Sequence, residues 1–303
     1  MGFNNPDVPW RDLERTLSGR SRRPQPPRPE GANGGDSPAW SAVRSAYVPP
    51  TQLVRRPSAT PYAELHSHST FSFLDGASSP EELAEEAARL DLQALAITDH
   101  DGFYGVVRFA EAARAVGLPT VFGAELSLGL TRPQNGRPDP EGSHLLVLAR
   151  DPAGYARLAS TISAGQLTGA EKGKPIYDDI AWEDVHDDHW LVLTGCRKGA
   201  VRQALEADGP ASARWKLQHL IATFGRPNVA VELCDHGDPL DSHRNDVLAQ
   251  LAVAEGVDVV ATTNAHYATP ARRRLATAMA AVRSRRSLDE VDAWLPAAAG
   301  AHL

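Results

Sequence analysis

From residue 62 onward, apolar and polar positions follow two rhythms in alternation. Short β-type apolar runs occur at Tyr62–His66, Ala94–Thr98, Thr120–Leu126, His144–Ala149, His189–Thr194, Asn228–Leu233 and Val257–Thr263. Segments with helical spacing lie between most of them. Seven short strands separated by helices predict parallel strands with crossover helices, an α/β architecture.

The helix boundaries are marked chemically. Ser79-Pro80-Glu81-Glu82 combines an N-cap hydroxyl, a proline at the first helical position and a capping-box acid. A helix over about Val106–Val116 stops at Gly117, with Pro119 just beyond. Asp151-Pro152 and Thr269-Pro270 open two more, and Leu217, Leu220, Ile221 and Phe224 make one apolar stripe before Gly225. Gly129–Ser143 and Gly165–Asp179 fit neither rhythm and read as long loops, which are often functional in compact domains. Lys172 and Lys174 in the second loop fit either a solvated surface or a contact to phosphate.

Composition adds a second region. Residues 1–60 hold nine arginines against five acids, a net of +4, and are rich in proline, glycine and serine. Such a stretch buries too little apolar surface to offset its ordering entropy, so it is expected to be mostly disordered. Trp10 and Trp40 within it are either isolated aromatics or docking points. The whole chain carries −7, which leaves −11 on the remainder. A body so acidic is not a nonspecific nucleic-acid glove, but it is compatible with bound cations. Cys196 and Cys234 are the only cysteines, too few for a disulfide framework. With no bilayer-length apolar run and no signal segment, the expected location is the cytoplasm, without membrane attachment.

The chemistry-bearing residues gather at strand ends. His66 and His68 follow the first run at the two-residue spacing that puts both rings on one side of an extended chain. Alone, that pair is equally well explained as an ordinary polar strand face. Asp75 follows in the next loop, Asp99 and His100 end the second run, and Glu125 lies on the third. His144 opens the fourth run, Cys196 follows the fifth, and Asn264 and His266 follow the seventh at the same two-residue spacing. In a parallel barrel the C-terminal strand ends share one rim, where active sites are built. His144 is out of place in that scheme: either its strand boundary lies elsewhere or the chain locally reverses. His186, His189, His219, His236, His243 and His302 lack such placement; His236, in Glu232-Leu233-Cys234-Asp235-His236-Gly237, comes nearest to it.

These residues carry a family resemblance. His66-Ser67-His68 through Leu74-Asp75-Gly76, Thr98-Asp99-His100, Gly123-Ala124-Glu125, Thr194-Gly195-Cys196 and Asn264-Ala265-His266-Tyr267 resemble the motifs of a polymerase-and-histidinol-phosphatase (PHP) domain. The likeness is greatest to the N-terminal PHP domain of bacterial family-C DNA polymerase alpha subunits of the error-prone, damage-inducible type, including Asn4-Asn5-Pro6 and Val8-Pro9-Trp10 in the lead-in. It implies a distorted seven-stranded (β/α)7 barrel over residues 61–284, preceded by the extension 1–60 and followed by the start of a linker, 285–303. It also implies up to three divalent metals, zinc or manganese, held by His66, His68, Asp75, His100, Glu125, His144, Cys196 and His266.

The remaining ligand is usually an aspartate where this chain has Asn264. Glu125, His100 and Asp99 are the residues expected to serve catalysis. The implied chemistry is phosphate ester hydrolysis, in some polymerase-borne members 3′–5′ exonuclease action on DNA. The rival implication is a structural barrel that buttresses the polymerase; a free-standing small-molecule phosphatase is a third. The resemblance names DNA, a polymerase palm, a sliding clamp and damage-tolerance proteins as partners. The palm aspartates lie downstream in that family, so this chain is expected to be a fragment unable to polymerise DNA.

Overall fold

The computed structural model describes residues 47–57, 59–134, 142–291 and 300–303. Trp10, Trp40, the Arg/Pro tract and residues 135–141 of the first long loop lie outside the described residues. By its contacts the chain divides into residues 1–48 and 49–303, and every element below belongs to the second unit.

Seven strands form one sheet in the order of the chain: β1 (Ala63–Glu64), β2 (Ala94–Ile97), β3 (Thr120–Leu128), β4 (Ser143–Ala149), β5 (Trp190–Leu193), β6 (Val229–Cys234) and β7 (Asp258–Thr262). The ends of the sheet meet. A parallel bridge joins Ser67 to Ala265, His68 N–H donates to Ala265 O, and Ala265 N–H donates to His66 O. The buried Glu64 carboxylate reinforces this closure by accepting from Thr263 N–H and Thr263 Oγ1, each at 2.7 Å. Closure removes the free sheet edges, and every strand then presents one face inward and one outward.

The expected strands are all present, but not all are parallel. β3 pairs antiparallel with β4, and β4 antiparallel with β5, whereas the other neighbours are parallel. The cause is local: no helix is described between β3 and β4, and a parallel return requires a crossover connection. The reversal resolves the placement of His144. Because β4 runs backwards, its first residues lie at the rim where β3 ends, and Ser127 pairs with His144 while Glu125 pairs with Leu146.

Eight helices cover the strands among the described residues: α1 (Pro80–Arg89), α2 (Val106–Val116), α3 (Pro152–Thr168), α4 (Trp182–His186), α5 (Ala200–Asp208), α6 (Pro210–Phe224), α7 (Asp241–Glu255) and α8 (Arg273–Ser284). The sequence signals hold in detail. Ser79 and Glu82 form a reciprocal capping box, Asp151 caps α3 through Gly154 N–H, and α2 ends at Gly117 in the left-handed conformation. The long loop expected from Gly165 starts later, because α3 runs to Thr168.

Two apolar layers follow from strand alternation. Outward residues such as Ala124, Leu126, Val147, Val192 and Val231 pack under Leu158, Leu217 and Leu248 of the helices. Inward residues Ala96, Leu146, Leu148, Leu193 and Ala230 fill the barrel. Aliphatics thus fill much of the interior, and buried polar groups such as Glu64, His66 and Glu232 share it.

Both flanks of the expected barrel are tied to it. Arg56 N–H donates to Arg89 O, and Arg55 Nη2 donates to Val116 O, so part of the expected extension packs on the body. At the other end Ala301 is buried and its carbonyl accepts from His266 N–H. Among the described residues no helix is long and apolar enough to cross a membrane.

Candidate metal centre

The rim gathers its ligand-type side chains around one carboxylate. Glu125 is buried on the inward face of β3. Its Oε1 lies 3.5 Å from His66 Nε2. Its Oε2 lies 3.4 Å from His68 Nε2, 3.3 Å from His100 Nδ1 and 3.0 Å from His144 Nδ1. Asp75 makes a second focus, with Oδ2 at 3.2 Å from both His100 Nε2 and His266 Nδ1. Three overlapping groups could each hold a metal ion: His66, His68 and Glu125; His68, Asp75 and His100; and His100, Glu125 and His144.

Local folding puts each group there. His66 lies past the end of β1, where its carbonyl accepts from Ala265 N–H just beyond β7, and His68 N–H donates to Ala265 O. The loop after His68 doubles back through hydrogen bonds from Ser72 N–H to Ser69 O and from Asp75 N–H to Ser72 O. Gly76 makes the turn possible, because a Cβ there would sit 2.0 Å from Ser69 O. Asp99 anchors this loop: it accepts from Ser69 N–H, Ser69 Oγ and Ser72 Oγ, each at 2.7 Å. Ser72 Oγ in turn accepts from His100 N–H at 3.2 Å and lies 3.2 Å from His68 Nδ1. The Asp99 carboxylate therefore reaches His68 and His100 through Ser72, while its backbone carbonyl accepts from Glu125 N–H.

The donor set fits a divalent cation. Glu125 Oε1, His100 Nδ1, His144 Nδ1 and Asn264 Oδ1 are buried atoms that make no hydrogen bond, although they face one another or the cavity. Buried polar groups are normally paired, so orphans converging on one space indicate a missing partner. The His66 and His68 Nε2 atoms are 3.1 Å apart. Two ligands about 2.1 Å from a tetrahedral ion stand roughly 3.3 Å from each other, so that separation suits zinc-like coordination.

Electrostatics agree. Burial opposes charge on Glu125, but the imidazoles of His144 and His66 outweigh it and hold the carboxyl well below its usual range. Burial likewise opposes charge on Asp75, which His266, His100 and Arg283 overcome. His66 is pushed well above its ordinary value, since Glu232 and Glu125 outweigh desolvation. His100 rises to about 9, because Asp75 and Glu125 outweigh its burial. His68 moves the other way, driven by burial and by His100 beside it. The cluster thus favours anionic carboxylates, the form that ligates metals, whereas His66 and His100 would release protons on becoming ligands.

Beyond the cluster opens a cavity of about 630 Å³ lined by Asp75, His100, Glu125, His144, Cys196, Asn264 and His266 among others. Cys196 lines this cavity without joining any of the three ligand groups, and burial next to Glu125 raises its thiol to about 11. Asn264 has φ +44, which breaks the strand alternation expected of Asn264 and His266; both still line the cavity. Lys172 lines it and Lys174 is not among its walls. Of the other histidines, His236 donates from Nε2–H to Thr263 O at 2.6 Å and lies outside the ligand groups.

Three participants escaped sequence reading. Glu232 Oε1 lies 2.7 Å from His66 Nδ1, and both side chains are fully buried. Its signal was an acid in the middle of an apolar strand, Ala230-Val231-Glu232-Leu233. Arg283, on α8, pairs with Asp75 Oδ1 at 2.8 Å; nothing in its local sequence marks it. Asp101 accepts from Ser127 N–H and Oγ, Tyr177 Oη and Gln134 Nε2, tying both long loops to the rim.

A family model described as PHP domain matches residues 64–236. The chain is 55% identical over its whole length to an error-prone DNA polymerase of Mycobacterium bovis, and 51% identical over 98% of its length to one of Cutibacterium acnes. It spans 27% and 26% of those two relatives respectively. Among solved structures, a candidate metal-dependent phosphoesterase from Bifidobacterium adolescentis is 18% identical, with a TM-score of 0.47 over 70% of this chain and 89% of that one.

Proposed function

The chain belongs to the PHP domain family, and from that premise we propose that its rim cluster binds two or more divalent metals, zinc or manganese, and hydrolyses phosphate esters. The observation that carries this reading is Glu125, one carboxylate with four imidazole rings within 3.5 Å and one oxygen making no hydrogen bond. Glu125 would hold such cations together with His66 and His68 and with His100 and His144. Asp75 and His266 extend the set toward the mouth, and Cys196 and Asn264 complete the wall.

When bound, such metals lower the pKa of a coordinated water and polarise a phosphoryl oxygen. The chain's own residues supply the rest. His100, at the mouth, borders the space a phosphate would enter. Arg283 and Lys198, also lining the cavity, offer positive charge to its oxygens. Asp99 serves by position, fixing Ser69 and Ser72 so that Asp75 and His68 keep their places. The aliphatic plug beneath the rim excludes water from below.

The substrate assigned by this reading is a DNA 3′ end, within a longer polymerase whose palm would follow this domain. DNA and those polymerase domains are the partners it names. A second reading, a barrel that buttresses the polymerase, is favoured by the neutral Asn264 and by Arg283, a built-in cation already on Asp75. One experiment separates them. Elemental analysis of purified protein is run beside 3′ nucleotide release from a primer end, for wild type and Glu125→Gln. Bound metal with Glu125-dependent release supports the phosphoesterase; bound metal without release supports the structural barrel.

A further inference from the structure

Two large aromatics line the cavity without being buried by the protein. Phe73 is 75% exposed and Tyr104 is 62% exposed, and both belong to the same wall as Asp75 and His100. Single exposed aromatics need no explanation, but two at the mouth of one polar, ligand-rich cavity do.

Both sit on shaped backbone. Phe73 rides on the turn that Asp99 anchors from below, between Ser72, whose hydroxyl Asp99 accepts, and Asp75, whose N–H donates to Ser72 O. Tyr104 lies against the backbone of Gly102, where a Cβ would come within 2.1 Å of its ring. Any side chain at 102 would displace the ring, so the glycine acts as its seat. Exposed aromatic faces beside a site for phosphate chemistry match the requirements for stacking an unpaired base. The same cavity carries the cationic side chains Arg283, Lys172 and Lys198, which suit a phosphodiester backbone. Its volume of about 630 Å³ admits a nucleotide or two and excludes a duplex.

We propose that Phe73 and Tyr104 form a stacking subsite for the terminal bases of a single-stranded nucleic acid whose phosphate is presented to the Glu125 cluster. The proposal rests on the phosphoesterase reading for the direction in which the strand enters. The subsite recognises the π-face of a base rather than its edge, so it tolerates any sequence and rejects ends that remain paired.

The test compares two fluorescent probes of equal length and charge, an oligodeoxyadenylate tetramer and the same backbone with abasic sugars. Affinity is measured by anisotropy on the full 303-residue chain in manganese, and cleavage is followed in parallel. The expected result is tighter binding of the base-bearing probe. Phe73→Ala or Tyr104→Ala should weaken that probe by roughly fivefold to a hundredfold and leave the abasic probe unchanged. Phe73→Tyr and Tyr104→Phe should retain the preference. Equal affinity for the two probes, no measurable binding of either, or alanine variants that weaken both alike would overturn the proposal. Cleavage of the abasic probe with no base preference would sink the subsite and leave the phosphoesterase standing. Base-dependent binding without cleavage would do the reverse.

Discussion

Glu232 Oε1 sits 2.7 Å from His66 Nδ1 at the centre of the barrel, and this contact decides which nitrogen of His66 faces Glu125. With Nδ1–H donated to Glu232, Nε2 is left as the ligand atom, 3.1 Å from His68 Nε2. Thr262 Oγ1 donates to the same oxygen of Glu232, and Thr194 Oγ1 accepts from Glu232 N–H, so the carboxylate itself is fixed. Carboxylates behind metal-ligating histidines orient the ring and raise its basicity.

Glu232→Gln should therefore weaken zinc binding by roughly 10- to 100-fold while preserving the fold. Competition with a chromophoric chelator reads the affinity, and far-UV circular dichroism reads the fold. Unchanged affinity would show that His66 is not a ligand or that its tautomer is set elsewhere.

His66→Ala combined with His68→Ala takes donors from two of the three ligand groups, His68 being common to both. A metal present at a hundred times its Kd adds about 2.7 kcal/mol of stability, which corresponds to roughly 5–10 °C in Tm for a domain of this size. EDTA should lower the wild-type Tm by about that amount and move the double variant's Tm less, because only the His100, Glu125 and His144 group stays whole in it. A wild-type protein whose Tm ignores EDTA would remove the case for bound metal.

Asp101→Ala should loosen both loops at the cavity wall. It leaves Ser127 N–H, Ser127 Oγ and Tyr177 Oη without their acceptor, in a region where all three residues are buried. Each buried donor left unsatisfied costs about 1–3 kcal/mol. The expected outcome is a fall in Tm and faster proteolysis within 169–179. Unaltered cleavage there would mean that the loops are held by other contacts.

How much of this was legible in the sequence varies with the range of the interaction. Ser79, Pro80 and Glu82 declare α1 locally, and the cap forms as read. His66, His68, His100 and Glu125 were identifiable because each follows or lies on an apolar run, and strand ends converge by topology. His144 was recognisable as chemistry but not as geometry, since the antiparallel β4 depends on a connection whose path the sequence does not encode locally. Arg283 lies 208 residues from Asp75, and no pattern at either end announces the pairing. Glu232 stood in plain view as an acid inside an apolar strand, but its partner His66 is 166 residues away.

The sharpest test falls on Asn264, whose Oδ1 is buried and makes no hydrogen bond. Its φ of +44 is a conformation that asparagine and aspartate both tolerate, so Asn264→Asp changes charge with little change in backbone strain. The new carboxylate lines the same cavity as Asp75 and Glu125, both already held anionic. Without cations that is a third negative charge in a desolvated space, and the variant should melt below wild type in EDTA. With cations the sign reverses: attraction between a carboxylate and a divalent ion at contact is on the order of 10–15 kcal/mol at an effective dielectric near 20, before desolvation is subtracted. Manganese should then bind at least about tenfold more tightly, and the melting order of the two proteins should invert as metal is added. If the cluster hydrolyses phosphate esters, release of 3′ nucleotides should rise with the tighter site. The measurement is a pair of melting curves with and without manganese, run beside a metal titration. If Asn264→Asp binds no more manganese and stays less stable at every concentration, the cavity is a relic and the barrel's role is structural.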